Sequence, residues 1–288
     1  MRGPTFRPVR SLSAVALCAA VALAGLGCQE SGFDENKETV RPLKVQHVLG
    51  ETKVPGQAEE PLTLTIDTLD DTLALGVRPA RAAVPDARLP AYLRGQGRVS
   101  LMRPVGAGDL AAAEAVHADL ILGSSSQAGL YEKLSRIAPT VITEGGGGQW
   151  KLNVRLVGEA LGRTNAAEQV LIDYDGEAAR ALRAIRAAGA GSGAAKPRVA
   201  VVRVTANGLR YAKEDSFAGT ILADAGVKQV TRNAPRAQVD VMLLSEGPGA
   251  RAHVDGRFVR VDDELWWGPG GALAGRAALA QLQRAVGG

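Results

Sequence analysis

The hydrophobic pattern of the chain alternates between two periods from residue 43 onward. Residues 62–66 alternate in the manner of a strand, and residues 68–77 repeat their apolar positions with the period of a helix that Gly76 is predicted to end. Because this order recurs, the pattern predicts a parallel sheet covered by helices on both faces. The other elements predicted in this half are helices over 109–117 and 127–137 and strands over 119–122 and 139–143.

A long helical pattern breaks this alternation after four consecutive glycines at 145–148. Apolar positions keep the helical period from residue 149 nearly to residue 188, with a weak point at 162–165. Since this is long for a globular helix, we interpret it as a connector of two consecutive segments. A glycine-rich turn at 189–195 follows. The elements predicted after it are strands over 198–204, 239–244 and 258–261 and helices over 216–225 and 271–286.

These patterns predict an α/β fold of two Rossmann-like lobes joined by a long backbone helix. Two lobes across a stiff connector leave a cleft between them, which is the usual place for a ligand. The predicted segments are a signal peptide at 1–28, a flexible tether at 29–42, an N-terminal lobe at 43–148, a connecting helix at 149–190 and a C-terminal lobe at 191–288.

The N-terminus has the layout of an export signal. Arg2, Arg7 and Arg10 precede an uncharged apolar run over 11–27, which is too short for an ordinary membrane span. The run ends at Cys28 and resembles the lipobox of bacterial lipoproteins, in which the cysteine is acylated. We therefore expect a lipid anchor on Cys28 that holds the folded part at the extracytoplasmic face of the cell membrane. A plain signal or a single anchor helix is the alternative.

Removal of the signal changes the charge of the protein. The signal contains three arginines and no acid, so the formal net charge falls by three, from +4 to +1. This balance argues against nucleic acid as a partner. Cys18 lies in the signal and Cys28 would carry lipid, so the mature domain has no thiol left for a disulfide, a redox couple or a cysteine metal site.

Enzyme motifs are incomplete along the chain. Residues 123–127 lack the second glycine of a nucleophile elbow, and residues 189–196 lack the ending of a phosphate-binding loop. His47, His117 and His253 are dispersed and form no metal-binding spacing. The sequence therefore predicts a protein that is not an enzyme and that has no cofactor.

Six segments occur in a characteristic order: HVLGETKVP (47–55), ADLILGS (118–124), LSRIAPTV (134–141), GGQWKLN (147–153), DSFAGT (215–220) and VDDELW (261–266). Together they resemble the siderophore-binding lipoproteins of bacterial iron ABC transporters. The resemblance implies the class III substrate-binding fold, a ferric siderophore as ligand, an ABC permease as partner and a monomeric state. Two alternatives stay open: a lipoprotein that binds heme or cobalamin, and a noncatalytic interaction lipoprotein that no longer delivers ligand.

A ferric siderophore arrives with its iron sites filled by its own oxygens, so its binding site needs cations and flat apolar surface but no metal ligands. Arg203 lies within a predicted strand, where a charge is costly unless its head reaches a cleft or a partner. We predict that it faces the ligand oxygens; a snorkelling edge-strand arginine is the alternative.

Other candidate ligand contacts lie at the ends of elements. The resemblance places Trp150 and Trp266 against the ligand, and packing between lobe and connector is the alternative for both. Tyr211 resembles a cleft-lining position, with packing beside a hairpin as its alternative. Ser124 follows a strand and opens a helix, so it would either bind an anionic oxygen or simply cap the helix.

The resemblance also implies a surface glutamate on each lobe that pairs with arginines of the permease. The first-lobe position falls at about Ala111, so Asp109 or Glu114 would have to substitute for it. In the second lobe the segment between residues 226 and 239 is short, and Glu246 is the remaining candidate.

Overall fold

The first lobe is built on a parallel sheet that follows an N-terminal hairpin. The computed structural model describes residues 41–187, 196–231, 239–250 and 258–287. The elements of the first lobe are β1 (Leu43–His47), β2 (Gly50–Val54), β3 (Pro61–Thr63), α1 (Ile66–Ala74), β4 (Arg81–Ala83), β5 (Leu101–Met102), α2 (Leu110–Glu114), β6 (Leu120–Ser124), α3 (Tyr131–Leu134) and β7 (Thr140–Thr143). Strands β1 and β2 pair antiparallel, and the sheet has the all-parallel order β5-β4-β3-β6-β7.

The predicted parallel sheet is confirmed in this lobe, while several element bounds differ. The helix predicted over 127–137 is a 3-10 helix, Ser125–Leu130, followed by the single turn α3. The strand predicted over 62–66 ends at Thr63, since α1 already begins at Ile66. Strands β4 and β5 were missed because two or three residues are too few to show a period.

The connector consists of two helices, as the sequence predicts. They are α4 (Trp150–Ala160) and α5 (Thr164–Ala187). Gly162 lies between them with φ 67°, and a Cβ there would come within 2.1 Å of the Gly56 carbonyl oxygen. Helix α5 lies beside α4, and Arg155 of α4 forms an ion pair with Glu168 of α5 at 2.7 Å. The long span between the lobes is therefore α5.

The second lobe repeats the α/β arrangement with a hairpin added. Its elements are β8 (Arg198–Thr205), β9 (Gly208–Tyr211), α6 (Phe217–Asp224), β10 (Lys228–Gln229), β11 (Val241–Glu246), β12 (Val259–Arg260), α7 (Asp263–Trp267) and α8 (Ala272–Gly287). Strands β10-β8-β11-β12 run parallel, whereas β9 pairs antiparallel with β8. The predicted helices over 216–225 and 271–286 are confirmed to within a residue at each end.

The two lobes share one hydrophobic core. A single cluster of buried side chains includes Leu120 of the first lobe, Tyr174 of the connector and Phe217 of the second lobe. Val40–Gly288 accordingly pack as one compact unit. The positions of the lobes on either side of the cleft are thus determined by shared packing.

A polar joint adds to this core. Asp70 and Asp71 of α1 accept hydrogen bonds from the first backbone N–H groups of α8, at 2.7 Å from Leu273, 2.9 Å from Ala274 and 3.1 Å from Ala272. Both carboxylates are buried. The first lobe therefore caps the last helix of the second lobe, a role that the sequence did not reveal.

Several predictions concern residues outside the described ranges. These are the signal peptide with its lipidated Cys28, nearly all of the tether, the glycine-rich turn at 189–195 and the conformation of His253. Within the described ranges, no helix is both long and apolar enough to cross a membrane.

Candidate ligand-binding cleft

Loops of both lobes enclose a hollow of about 690 Å³, called the large hollow here. From the first lobe it is lined by the glycine loop that follows β7. From the second lobe it is lined by the end of β9, the start of α6 and the end of α7. The charged and aromatic side chains in this lining are Glu144, Arg210, Tyr211, Lys213, Asp215, Phe217, Trp266 and Trp267.

A second hollow of about 300 Å³, the small hollow, adjoins the first because Trp267 and Gly268 line both. Its first-lobe wall includes Asp86 and Arg88, and its second-lobe wall includes Arg203, Asp263 and Glu264. The two hollows together are called the cleft. Their volumes lie in the range of ordinary small-molecule sites, roughly 300–1,000 Å³.

Trp267 lies near two guanidinium groups where the hollows meet. The carbon atoms at the centres of these groups lie 5.7 Å (Arg203) and 5.5 Å (Arg210) from its ring centre. Its indole Nε1 is buried and has no hydrogen-bond partner among the described residues. This half-buried indole is an aromatic surface of both hollows, whereas the resemblance implied a ligand contact at its neighbour Trp266.

The hairpin of β8 and β9 explains why two arginines meet there. Arg203 and Arg210 are directly opposite in its register, with a turn at Ala206 and Asn207. Residues opposite each other in a hairpin project to the same face. The sequence carried part of this signal, because Asn207-Gly208 is a typical hairpin turn. In its usual register that turn would place Arg210 opposite Thr205, whereas the observed turn at Ala206 and Asn207 places Arg210 opposite Arg203.

Arg203 lines the small hollow, but its head is bound to a carboxylate. Its Nε donates to Asp263 Oδ1 at 2.7 Å, and its Nη2 donates to Asp263 Oδ2. The Ser245 hydroxyl donates to the same carboxylate at 2.9 Å. The charge of Arg203 is therefore matched within the protein, and its contact with ligand oxygens stays a prediction. Arg210 has no ion-pair partner in the described part of the chain, so it is the freer cation at Trp267.

Trp150 was predicted to contact the ligand, and its burial contradicts this. The side chain is 1% exposed, lines neither hollow and packs edge-on against Tyr174 and Phe217. Its Nε1 donates to Thr220 Oγ1 at 3.1 Å. The indole at the first residue of α4 therefore packs between the connector and the second lobe.

Trp266 is also largely a packing residue. It borders the large hollow yet is 1% exposed, and its Nε1 donates to Gln281 Oε1 of α8 at 2.9 Å. In the short helix α7, adjacent side chains point in different directions, so Trp266 faces the core while Trp267 faces the cleft.

Two further predicted contacts have different outcomes. Tyr211 lines the large hollow and is partly exposed, so it stays a candidate contact. Ser124 is buried and lines neither hollow. Its backbone N–H donates to Gln127 Oε1 at 3.1 Å, and its hydroxyl forms a hydrogen bond with the Ser126 hydroxyl at 2.8 Å. The capping alternative describes Ser124 correctly.

The candidate permease contacts lie on the surface. Asp109 and Glu114 are exposed at the two ends of α2. Glu246 is exposed as well but forms an ion pair with Arg260 of the neighbouring strand. All three stay predictions, and the pairing of Glu246 makes it the less available of the candidates.

Histidines and metal-binding clusters do not contribute to the cleft within the described ranges. His47 bonds Thr52 at 2.9 Å beside Tyr131, and burial lowers the pKa of its imidazole. His117 is exposed after α2. Over the same residues, no group of three His, Cys, Asp or Glu side chains is placed to hold a metal ion.

Two α/β lobes, a long connecting helix and an interlobe cleft define the class III substrate-binding fold. Residues 65–245 match the family model described as periplasmic binding protein, and the chain belongs to this family. The family consists of binding proteins, which agrees with the absence of complete enzyme motifs in the sequence.

Individual relatives share this fold. The probable siderophore-binding lipoprotein YfiY of Bacillus subtilis is 27% identical over 236 residues, which cover 80% of this chain and 69% of that protein. Staphylococcus aureus SirA, solved with staphyloferrin B, superposes with a TM-score of 0.65 at 22% identity over 84% of this chain and 96% of SirA. The petrobactin-binding protein YclQ of Bacillus subtilis superposes with a TM-score of 0.69 at 16% identity over 85% of this chain and 99% of YclQ.

Proposed function

We propose that this protein is an extracytoplasmic lipoprotein that captures a ferric siderophore and presents it to an ABC permease for iron uptake. The observation that carries the proposal is the cross-strand pair of Arg203 and Arg210 near Trp267. Asp263 already matches the charge of Arg203, so Arg210 is the cation left to hydrogen-bond the oxygens that coordinate the iron of such a ligand. The names of YfiY and of the SirA complex support the same class of ligand.

The cleft supplies what an iron chelate needs from its receptor. Trp267 and Tyr211 offer flat apolar surface for the organic shell, while Arg210 and Lys213 offer cations for its oxygens. The chelate holds its own iron, so protein ligands to the metal are not required. The large hollow, about 690 Å³ in volume, has room for a chelate of this kind.

The direct test is calorimetric titration of the compact unit Val40–Gly288 with ferric hydroxamates and ferric catecholates. We expect at least one chelate to bind with micromolar or tighter affinity, and Arg210→Ala to weaken it because the freer cation is lost. Arg284→Ala is the matched control, since Arg284 is an exposed arginine of α8 that lines neither hollow. The proposal would be overturned if no chelate gave a heat signal, or if Arg210→Ala and Arg284→Ala lowered chelate affinity equally.

Trp267→Ala is expected to weaken chelate binding about tenfold, because an aromatic contact and its cation–π neighbours together contribute about 1–2 kcal/mol. Trp267→Phe keeps an aromatic face and should retain affinity to within about threefold. Affinity is measured by calorimetry and stability by urea unfolding. Val259→Ala removes an exposed apolar side chain elsewhere and should change neither quantity. Full affinity in Trp267→Ala would remove this indole from the site.

Lipid attachment at Cys28 has its own test. Cys28→Ser in the full chain is expected to move the protein from the membrane fraction to the soluble fraction, because the serine hydroxyl cannot take the place of the acylated thiol. Metabolic labelling with a fatty acid, followed by fractionation, measures both effects. Membrane association that persists without label would favour the anchor-helix alternative.

A further inference from the structure

The charges of the large hollow are balanced. Arg210 and Lys213 are its cationic side chains in the described chain, and Glu144 and Asp215 are its anionic ones. None of the four has an ion-pair partner among the described residues. The two acids lie on opposite walls, with Glu144 in the loop after β7 and Asp215 just before α6. An occupant of this hollow therefore meets carboxylates as well as cations.

The cationic side chains that line the small hollow form ion pairs with carboxylates of the protein. Arg203 is bound to Asp263, and Arg88 donates from the first lobe to Glu264 of the second lobe at 2.6 Å. Asp86 of the first lobe is a further acid in the lining of the small hollow. Over the described residues that line the cleft, four cations thus face five anions. These described lining residues have no excess of positive charge to offer to a polyanion.

Ferric siderophores differ in net charge in a way that this balance can distinguish. Each hydroxamate loses one proton on binding iron, so three of them neutralise Fe³⁺ and the complex is neutral. Each catecholate loses two protons, so three of them leave a complex with a charge of −3. A trianion that enters the cleft loses hydration and meets Glu144 and Asp215 without enough cations to compensate. A neutral chelate avoids most of that cost.

We infer that the cleft selects ferric chelates of low net charge, of the trihydroxamate type, and rejects trianionic tricatecholates through Glu144 and Asp215. This inference rests on the proposed function and narrows its ligand class. Trp267 and Tyr211 hold the apolar linkers of the chelate, while Arg210 and Lys213 hydrogen-bond its hydroxamate oxygens. The two acids act as repulsive elements, which is a common basis of binding specificity.

The first experiment compares ferrichrome, which is neutral, with ferric enterobactin, which carries −3, by calorimetry on Val40–Gly288. We expect ferrichrome to bind at least about tenfold more tightly, since like-charge contacts cost several kcal/mol. Raising the salt concentration screens the net charge of a ligand, so ferrichrome affinity should stay within about twofold between low and high salt. Tighter binding of ferric enterobactin, or equal binding of the two, overturns the inference while the proposed function stands. Binding of neither, nor of any other ferric chelate tested, overturns the proposed function itself.

The second experiment removes the repulsive charges. The double variant Glu144→Gln with Asp215→Asn is expected to tighten ferric enterobactin binding about tenfold relative to ferrichrome, because it removes two like charges that oppose the trianion. Glu132→Gln is the matched control, because Glu132 is an exposed acid of α3 that lines neither hollow. An unchanged ratio of the two affinities in the double variant would show that these carboxylates do not set the selectivity.

Discussion

Replacing Trp150 with alanine is expected to lower the free energy of unfolding by about 3–5 kcal/mol, the usual cost of truncating a large buried aromatic side chain. The indole is edge-on to Tyr174 with ring centres 4.7 Å apart, and edge-on to Phe217 at 6.2 Å. Gly275 of α8 lies against the same ring, since a Cβ there would come within 3.2 Å of it. Truncation would thus leave a cavity where the connector, α6 and α8 meet.

Two smaller changes separate volume from hydrogen bonding at this position. Trp150→Phe fills most of the space, and Thr220→Val removes the acceptor of the Nε1 hydrogen bond with little change in shape. We expect each to cost about 1–2 kcal/mol, below the loss in Trp150→Ala. Urea unfolding measures all three. A loss of less than about 1 kcal/mol in Trp150→Ala would contradict the packing role and return this indole to the list of ligand contacts.

Asp70→Ala is expected to lower the free energy of unfolding by about 2–4 kcal/mol, because the variant leaves two buried N–H groups of α8, those of Leu273 and Ala274, without acceptors. The variant also removes the favourable interaction between the Asp70 carboxyl group and the dipole of α8 at its N-terminus. Asp173→Ala is a control, since Asp173 lies on the exposed surface of α5 and bonds only a neighbouring glutamine. Equal stabilities of the Asp70 and Asp173 variants would disprove the joint between the lobes.

The same joint makes stability depend on pH. Burial raises the pKa of Asp70 to about 7 despite its backbone hydrogen bonds, and burial next to Asp70 and Asp67 raises the pKa of Asp71 as well. Burial also raises the pKa of the facing Tyr92 hydroxyl, which therefore stays protonated. Between the ordinary carboxyl pKa near 4 and about 7, the folded protein keeps a proton that the unfolded chain has released.

The free energy of unfolding should consequently fall as pH rises from about 4 to about 7, by an amount on the order of a few kcal/mol. In Asp70→Asn this group cannot ionise, so the decline should become shallower, whatever the variant's absolute stability. Urea unfolding of both proteins at several pH values gives the two slopes. Parallel slopes would mean that Asp70 does not carry the buried proton.

Much of the fold could be predicted from local patterns. The break in the connector was placed at 162–165, and the structure interrupts its helices between Ala160 and Thr164. Glycine and the loss of apolar periodicity signal such a break without tertiary information. The short strands β4 and β5 could not be predicted this way, since their pairing with neighbours, not their own pattern, makes them strands.

The site was harder to predict, because two tryptophans in tandem look alike in sequence. Trp266 enters the core and Trp267 enters the cleft because adjacent side chains of α7 point about 100° apart around the helix axis. Arg203 was identified from the cost of a charge within a strand, but its partner Asp263 is 60 residues away. The Asn207-Gly208 turn predicts a hairpin, but its usual register is centred one residue later than the observed one, so the pairing of Arg210 with Arg203 could not be read from the turn alone.

The sequence by itself determined most of the longer strands and helices, the two-part connector, the export signal pattern and the place of Arg203 within the first strand of the second lobe. These follow from residue periodicity, charge and turn chemistry, which act over a few residues. Tertiary structure alone decided which indole is exposed, which cations are neutralised and that Asp70 and Asp71 join α1 to α8. Each of these depends on burial and on contacts between segments 60 to 200 residues apart, and local pattern carries no information on such contacts.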